Sequence, residues 1–229
     1  MMLHIVGGSH APIVFRCAAA MKGIAVTEDI KEASIVLISE DTPTDETGRR
    51  DEGPIVQHVY ETLRATECPV ILTSQVIPGF TRKFGNDRLY HQAETLRIKD
   101  AMKRAMEPEQ IILGVQKPYD CYIHPEVHAY YAHFDAPVIR CSYEEAEFSK
   151  IAINVHLAHQ VELANALLSR ADLYGCDWKT IQRILRNDHR IGPHAYTTPG
   201  DWRKSKHLLR DYVTFYEAGD SGISCLPVL

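Results

Sequence analysis

Features typical of membrane-spanning, secreted and nucleic-acid-binding proteins are missing from this chain of 229 residues. There is no run of about 18 apolar residues, so we predict that no segment crosses a membrane. The six cysteines are scattered and form no CxxC pair, which favours reduced thiols and a cytoplasmic protein. A net charge of -5 offers no basic excess, so we expect neither nucleic acid nor an anionic membrane as a partner.

Glycine and proline are missing from residues 144–174, where apolar residues recur at the helical period. This pattern predicts one helix of roughly 45 Å that ends at Gly175. Its apolar circumference exceeds what one small sheet can cover, so we expect a homodimer formed through residues 147–175. Lys150 and Asn154 lie one turn apart on this helix, and both are costly to bury without partners.

The dinucleotide-binding fingerprint GxGxxG is also incomplete. An apolar strand at residues 3–6 runs into Gly7, Gly8 and Ser9, followed by a predicted helix, which is the opening of a nucleotide-binding α/β domain. Ser9 and Pro12 stand where the second and third glycines belong. Two interpretations stay open: a turn that holds a cofactor phosphate, and a tight strand-to-helix turn that binds nothing.

Strands and helices alternate along the first part of the chain. Strands are predicted at 3–6, 34–39, 69–73, 109–115 and 137–141, and those at 34–39 and 69–73 are predicted to be buried. Helices are predicted at 13–21, 53–65, 94–106 and 124–133. The alternation predicts an α/β fold with a Rossmann-like doubly wound parallel sheet, abbreviated in its first half. Sites are then expected at the carboxyl ends of the strands, in segments 7–10, 40–45 and 74–79.

The second part of the chain is predicted to be all-helical, with helices at 177–186 and 204–218 after the long one. We therefore predict two domains. Residues 1–143 form a Rossmann-like, possible NAD-binding domain, and residues 144–229 form the long connecting helix and a small helical dimerisation domain. His124, His128 and His133 are ligand types for a metal, but their spacing sets no fourth ligand, so no metal site is predicted.

A series of short motifs resembles the UDP-glucose/GDP-mannose dehydrogenase family. These motifs are SIVLIS with TPTDETG (34–48), TSQVIPGFTR (73–82), AETLRIKDAM with PEQIILG (93–114), AEFSKIAINVHLAHQVELAN (146–165), RIGPHAYTTPG with LLRD (190–211), and GISCLPVL (222–229). They occur in the family's order and cover nearly the whole chain. The resemblance implies NAD as the cofactor and a nucleotide or nucleotide sugar as the small-molecule ligand.

The resemblance and the glycine turn together indicate the cofactor-binding residues. They are Gly7, Gly8, Ser9, Thr42, Pro43, Thr44 and Ser74. In the family the TPTD loop helps to hold the cofactor. By itself TPTD is a turn in which Asp45 satisfies backbone amides, and both interpretations stay open.

The resemblance also implies catalytic residues. In the family, the residues at Lys150 and Asn154 flank the reacting carbon and stabilise oxyanion charge. The residue at Asp211 acts in proton transfer with water or the lysine, and the one at Glu94 helps to hydrolyse a thioester. His207 stands at the position of the nucleophilic cysteine, where imidazole can act only as a base in a single alcohol oxidation; the alternative is a solvated histidine on the helix. The alternative for the retained residues is a buried ion pair that ties the long helix to its neighbours.

Four departures from the family pattern bear on function. The chain lacks the cysteine, the threonine that falls at Gln75 and the full glycine fingerprint, and we expect it to lack the C-terminal domain that binds the nucleotide of the sugar. We therefore predict a nucleotide-sugar 6-dehydrogenase-like protein that is not competent for the full four-electron oxidation. Two alternatives remain: a non-catalytic dimeric binding or regulatory protein on the same scaffold, and a nucleotide-binding protein with different acid/base chemistry.

Overall fold

The computed structural model describes residues 1–120 and 122–217, and the chain divides into two compact units. Unit 1 consists of Met1–Pro43 and Asp51–Lys150, and unit 2 consists of Thr44–Arg50 and the chain from Ile151 onward. The change from one unit to the other falls inside the long helix. The domain boundary between residues 143 and 144 stays a prediction, and the GISCLPVL segment lies outside the described residues.

Unit 1 is built on a sheet of seven strands among the described residues, with helices on both faces. The strands are β1 (Met2–Val6), β2 (Ala25–Val26), β3 (Ile35–Ile38), β4 (Val70–Leu72), β5 (Leu89–Gln92), β6 (Ile111–Val115) and β7 (Val138–Ser142). The helices are α1 (His10–Met21), α2 (Gly53–Ala65), α3 (Ala101–Met106) and α4 (Pro125–Tyr131). The strand order is β2-β1-β3-β4-β5-β6-β7. The Rossmann-like fold is thus confirmed, and one neighbouring pair, β5 with β6, is antiparallel.

The central strand β3 shows why the sheet needs helices on both sides. Its four residues are apolar, and all have an exposed fraction of 0%. Because side chains alternate along a strand, Ile35 and Leu37 pack on the face covered by α1 and α4. Val36 and Ile38 pack on the opposite face against α2. A continuous apolar run of this kind is therefore typical of a parallel strand buried on both faces.

The helix predicted at 94–106 is wrong in its first half. Residues 94–97 form a loop, a 3-10 turn follows at Ile98–Asp100, and only then does α3 begin. The Glu94 carboxylate accepts a hydrogen bond from the backbone N–H of Leu96, so a local turn competes with the helix. Strand β5 was not predicted, because its sequence LYHQ mixes polar and apolar residues without a continuous apolar run.

Unit 2 is helical. It contains most of α5 (Tyr143–Leu173), which begins in unit 1, together with α6 (Trp178–Asn187) and α7 (Lys206–Glu217). The long helix was predicted to within one residue at each end. Ala158 and Val161 of α5 pack against the buried Trp202, and side chains of α7 complete this core. None of the helices in the described ranges is long and apolar enough to cross a membrane.

Candidate functional site

The register of the central strands of unit 1 brings three loops to one edge of the sheet. Val6 pairs with Ile38, and Ile38 pairs with Leu72, so β1, β3 and β4 end at the same level. The segments that follow them are the ones expected to form a site at a carboxyl edge. Their side chains and backbone groups meet one another there.

The glycine turn, residues 7–9, is packed closely against the loop after β3. Gly7 has φ = 134°, and a Cβ on it would lie 2.8 Å from Cγ of Pro12 and 2.9 Å from the carbonyl oxygen of Ser39. Only glycine fits this conformation and this space. Ser9 precedes α1 as the N-cap residue, but its hydroxyl makes no capping hydrogen bond, and it lies 3.5 Å from the same carbonyl oxygen.

Glu40, two residues after β3, places its carboxylate on the glycine turn. The backbone N–H of Gly8 donates to Oε2 of Glu40 at 2.5 Å. A Cβ built on Gly8 would meet only that same oxygen, at 4.0 Å, so the turn is otherwise open on this side. The backbone N–H of Glu40 donates to the hydroxyl of Ser74 at 3.2 Å, which ties this residue to the loop after β4. A negative group therefore lies at the amino end of α1, where the helix dipole favours it.

The other predicted cofactor residues of unit 1 hold the edge loops in shape. The buried Thr42 hydroxyl donates to the carbonyl oxygen of Gln75 at 2.6 Å. The carbonyl of Pro43 accepts from the N–H of Asp51 at 2.8 Å. Ser74 is buried and accepts from Glu40 as described. The edge thus brings together the glycine turn, Thr42 and Ser74, and each of them already contacts other protein groups.

Thr44 belongs to unit 2, where it forms a backbone bridge with Arg50. Between them, Oδ1 of Asp45 accepts from the N–H groups of Thr47 and Arg49 at 2.8 and 2.9 Å. The turn interpretation of TPTD is therefore confirmed for Asp45. The hydrogen bond from the Thr47 hydroxyl is the main cause that lowers the pKa of Asp45 from its ordinary value.

The Gly48 position explains how this loop joins α7. A Cβ on Gly48 would lie 2.9 Å from Cγ of Leu209 and 3.0 Å from Cγ2 of Val213, so the loop backbone packs directly on the helix. The close approach carries Arg49 and Arg50 to α7. Arg49 pairs with Glu217 at 3.0 Å at an exposed position, and Arg50 reaches the buried interior of the unit.

The Asp211 cluster consists of Asp211, Arg50, Asn154, Arg210 and Thr214. Arg50 donates to Oδ1 of Asp211 at 2.9 Å, and Asn154 donates to Oδ2 at 2.5 Å. Nε of Arg210 lies 3.8 Å from Oδ1, and Arg50 also donates to the hydroxyl of Thr214 at 2.8 Å. Asp211 has an exposed fraction of 0%. Both carboxylate oxygens are thus engaged by buried donors, which gives Asp211 a strong anchoring role.

The other predicted catalytic residues are distributed between the units. Lys150 and Glu94 belong to unit 1. Lys150 is half-buried on α5, and the Glu94 carboxylate accepts a hydrogen bond from Leu96 within its own loop. His207 belongs to unit 2, is exposed near the start of α7, and has Nδ1 3.4 Å from a guanidinium nitrogen of Arg210. Unit 2 therefore brings Asn154 and Asp211 into contact with each other. Among residues 1–120 and 122–217 there is no group of three metal-ligating side chains suited to hold an ion.

Three residues important to these arrangements were missed from the sequence: Glu40, Arg50 and Glu147. Glu147 is buried and accepts from the backbone N–H groups of Gly79 and Thr81 at 2.5 and 2.8 Å. Burial is the main cause that raises its pKa. Glu147 lies inside one of the motifs, and Glu40 and Arg50 lie within two residues of one. Their positions could have drawn attention to them, but a single charged residue near a motif does not indicate which group it contacts.

The fold is that of an α/β protein with a Rossmann-like first unit, and it is similar to those of solved dehydrogenases. The UDP-glucose dehydrogenase from Pyrobaculum islandicum superposes with a TM-score of 0.73 at 21% identity, covering 95% of this chain and 64% of that chain. The GDP-mannose dehydrogenase from Pseudomonas aeruginosa gives 0.68 at 21% identity, covering 87% and 60%. At these identities the likeness establishes the fold.

The chain is similar to the UDP-glucose/GDP-mannose dehydrogenase family, the family that the order of motifs indicated. Residues 144–202 match the sequence model of the family's central domain. An uncharacterized protein of Methanocaldococcus jannaschii is 27% identical over 212 residues, which make up 86% of this chain and 23% of that protein. The UDP-glucose 6-dehydrogenase of Streptococcus pneumoniae is 25% identical over 164 residues, 63% of this chain and 41% of the relative. The chain thus spans less than half the length of these relatives.

NAD, implied by the family resemblance, does not fit the glycine turn as the structure has it. In a dinucleotide site, the pyrophosphate approaches the backbone N–H groups of this turn and the amino end of the first helix. Here the N–H of Gly8 already donates to the Glu40 carboxylate at 2.5 Å. A pyrophosphate and a carboxylate at this place would repel each other, so the turn accepts a dinucleotide only if Glu40 moves.

Proposed function

We propose that this chain is a nucleotide-sugar 6-dehydrogenase-like protein that does not carry out the full four-electron oxidation. The observation that carries the proposal is the state of Asp211. The family's chemistry needs this carboxylate for proton transfer, whereas here it is fully buried and both its oxygens accept hydrogen bonds, from Arg50 and Asn154. With no exposed surface and both oxygens engaged, this carboxylate anchors side chains of unit 2.

The nucleophile position supports the same conclusion. A four-electron oxidation that proceeds through a thiohemiacetal needs a thiol, and His207 supplies an imidazole at an exposed place. The imidazole can accept a proton from an alcohol, but it forms no thiohemiacetal. We propose Lys150, Asn154 and Glu94 as the remaining site residues, with Asp211 positioning the Asn154 amide and Lys150 stabilising oxyanion charge if a carbonyl compound binds.

The proposed ligand is a nucleotide or a nucleotide sugar. The names of the relatives support this class, since they include UDP-glucose 6-dehydrogenases and a GDP-mannose 6-dehydrogenase. NAD is the proposed cofactor on family grounds, subject to movement of Glu40. Nucleic acid and membranes are not among the proposed partners, and the cytoplasm is the proposed location because the scattered cysteines favour reduced thiols.

The second candidate function is a non-catalytic dimeric binding or regulatory protein. The observation that favours it is the exposed apolar surface of α5 in unit 2, where Leu163 is 60% and Leu167 is 37% exposed. The two residues lie one turn apart on one side of the helix. A homodimer through α5 would cover both leucines, and a dimeric binding protein does not have to catalyse a reaction. The third candidate, a nucleotide-binding protein with other acid/base chemistry, would use Glu94, Lys150 and Asp211.

Product analysis distinguishes these candidates. The protein is incubated with NAD and either UDP-glucose or GDP-mannose, the nucleotides are separated by chromatography, and binding of each ligand is measured by calorimetry. We expect a sugar nucleotide to bind without conversion to the acid. Formation of the sugar acid, abolished by Lys150→Ala, would contradict the proposal. Absence of all nucleotide binding in an intact dimer would favour the second candidate instead.

A further inference from the structure

We propose that the carboxylate of Glu40 is a built-in occupant of the glycine turn that keeps the pyrophosphate of a dinucleotide out. The inference goes beyond the proposed function, because it concerns access to the turn and holds whether or not the chain oxidises a sugar. It begins from the contact that a dinucleotide would itself use. The N–H of Gly8 donates to Oε2 of Glu40 at 2.5 Å.

Two backbone hydrogen bonds hold the segment that contains Glu40 in place. Its N–H donates to the buried hydroxyl of Ser74 at 3.2 Å, and the N–H of the next residue, Asp41, donates to the hydroxyl of Ser9 at 3.1 Å. These bonds tie the loop after β3 to the glycine turn and to the loop after β4. The carboxylate therefore reaches Gly8 from an anchored backbone, and not from a freely moving loop.

The glycine turn has room for a ligand group to approach the backbone at Gly8. A Cβ on Gly8 would find no atom nearer than Oε2 of Glu40, at 4.0 Å, so a group larger than hydrogen can approach Gly8 once the carboxylate leaves. Gly7, in contrast, is closed off by Pro12 and Ser39. The open side of the turn is thus the side that Glu40 covers.

Charge decides whether a phosphate can bind at Gly8 while the Glu40 carboxylate remains there. Hydrogen bonds between a backbone N–H and an ionised oxygen are roughly twice as strong as neutral ones, so Glu40 competes directly with a phosphate oxygen for Gly8. A phosphate placed beside a retained carboxylate would also meet like-charge repulsion. Removal of the carboxylate takes away both effects and leaves the N–H and the helix dipole available to an anion.

The test is calorimetric titration of the full chain with NAD, in the wild type and in the variants Glu40→Gln and Glu40→Ala. We expect both variants to bind NAD at least roughly tenfold more tightly than the wild type, which corresponds to about 1.4 kcal/mol. Glu61→Gln is the matched control, because it removes the same charge at an exposed position of α2, where the carboxylate accepts from Gln57. Its affinity should equal that of the wild type.

A second titration locates the effect at the phosphates. ADP should show the same gain in both Glu40 variants, whereas adenosine should show none. Equal NAD affinity in wild type and variants, including no binding in any of them, would overturn the proposal, and so would a gain that appears equally for adenosine. Thermal unfolding checks that each variant is folded, and Glu40→Gln preserves the shape of the side chain if Glu40→Ala does not fold.

Discussion

At the scale of single residues, Asp211 is the group on which unit 2 depends most. Its partners come from separate segments: Arg50 of the loop 44–50 and Asn154 of α5 donate hydrogen bonds, and the guanidinium of Arg210 in α7 lies 3.8 Å away. One buried carboxylate therefore fastens a loop and two helices. Buried ion pairs of this kind specify an arrangement more than they add net stability, but removing one partner leaves the others buried and uncompensated.

Replacement of Asp211 should therefore be severe. Asp211→Asn leaves the buried Arg50 guanidinium without its counter-charge, and we expect the free energy of unfolding to fall by about 3–5 kcal/mol in urea denaturation. Glu217→Gln is the matched control, because Glu217 pairs with the neighbouring Arg49 at an exposed position. That variant should leave stability nearly unchanged. Equal losses in the two variants would contradict the anchoring role of Asp211.

His91 makes a residue-scale prediction about pH. It is 2% exposed in unit 1, lies 3.4 Å from the Thr81 hydroxyl, and burial lowers its pKa from 6.5 to about 3. Since the folded-state pKa lies below the unfolded one, protonation favours unfolding. The contribution of His91 is complete above pH 6.5 and is lost as the pH falls toward 3.

Denaturation of the wild type and of His91→Gln as a function of pH tests this. We expect the stability of the wild type relative to the variant to fall on acidification, by up to about 1.4 kcal/mol for each pH unit in this window. A difference between the two proteins that stays constant with pH would show that the neutral imidazole is not required by the fold.

At the scale of elements, Glu147 fixes the loop after β4 to the start of α5. Its two carboxylate oxygens accept from the N–H groups of Gly79 and Thr81, both in the segment TSQVIPGFTR. Gly79 lies in a loop and Thr81 is the first residue of a 3-10 helix (Thr81–Phe84), so neither N–H has an acceptor within a strand or helix. A buried backbone N–H left without an acceptor costs more than an ordinary hydrogen bond contributes.

Glu147→Ala should lower the free energy of unfolding by about 2–4 kcal/mol, because the buried N–H of Thr81 and the half-buried N–H of Gly79 lose their acceptor. Burial raises the pKa of Glu147, so its contribution is complete below the ordinary value of 4.5 and declines as the pH rises through the folded-state pKa. The loss caused by the variant should therefore be larger at acidic than at neutral pH. Glu61→Ala, at an exposed position of α2, should change little; a comparable loss there would refute the assignment.

The helices and strands also show how much of the fold could be predicted from the sequence. The long helix and strand β3 were predicted closely, since an uninterrupted helical period and a β-branched run are strong local signals. Strand β5 was missed because LYHQ is decided by its neighbours: it pairs with β4 on one side and with β6 on the other. The loop at 94–97 was taken for a helix because its charged sequence has helical composition, whereas the side-chain turn at Glu94 overrides that preference.

At the scale of the whole molecule, the family resemblance and the fold could be predicted from the sequence. The roles of Glu40 at the glycine turn and of Arg50 at Asp211 could not. Ordered motifs identify a family because many weak matches in one order are improbable by chance. Glu40 and Arg50 act through contacts with groups more than 30 and 160 positions away in sequence, respectively. A side chain's partner at such separation is set by the folded register, which no local pattern contains.

The predicted homodimer also belongs to this scale. Light scattering coupled to gel filtration should give twice the mass of the chain, and Leu163→Glu with Leu167→Glu should shift it to the monomer, because charges would be placed on the exposed apolar side of α5. Ile98→Glu is the control, an exposed apolar residue of unit 1 with an exposed fraction of 81%. A monomeric wild type at micromolar concentration would contradict the prediction.

The most direct test of the central claim is the amount of NADH formed for each sugar nucleotide consumed. Wild-type protein is mixed with excess NAD and UDP-glucose or GDP-mannose, and the absorbance of NADH is followed alongside the loss of substrate. The account predicts no four-electron product, because His207 cannot form the thiohemiacetal and Asp211 is held by Arg50 and Asn154. Two NADH for each sugar nucleotide consumed would contradict it.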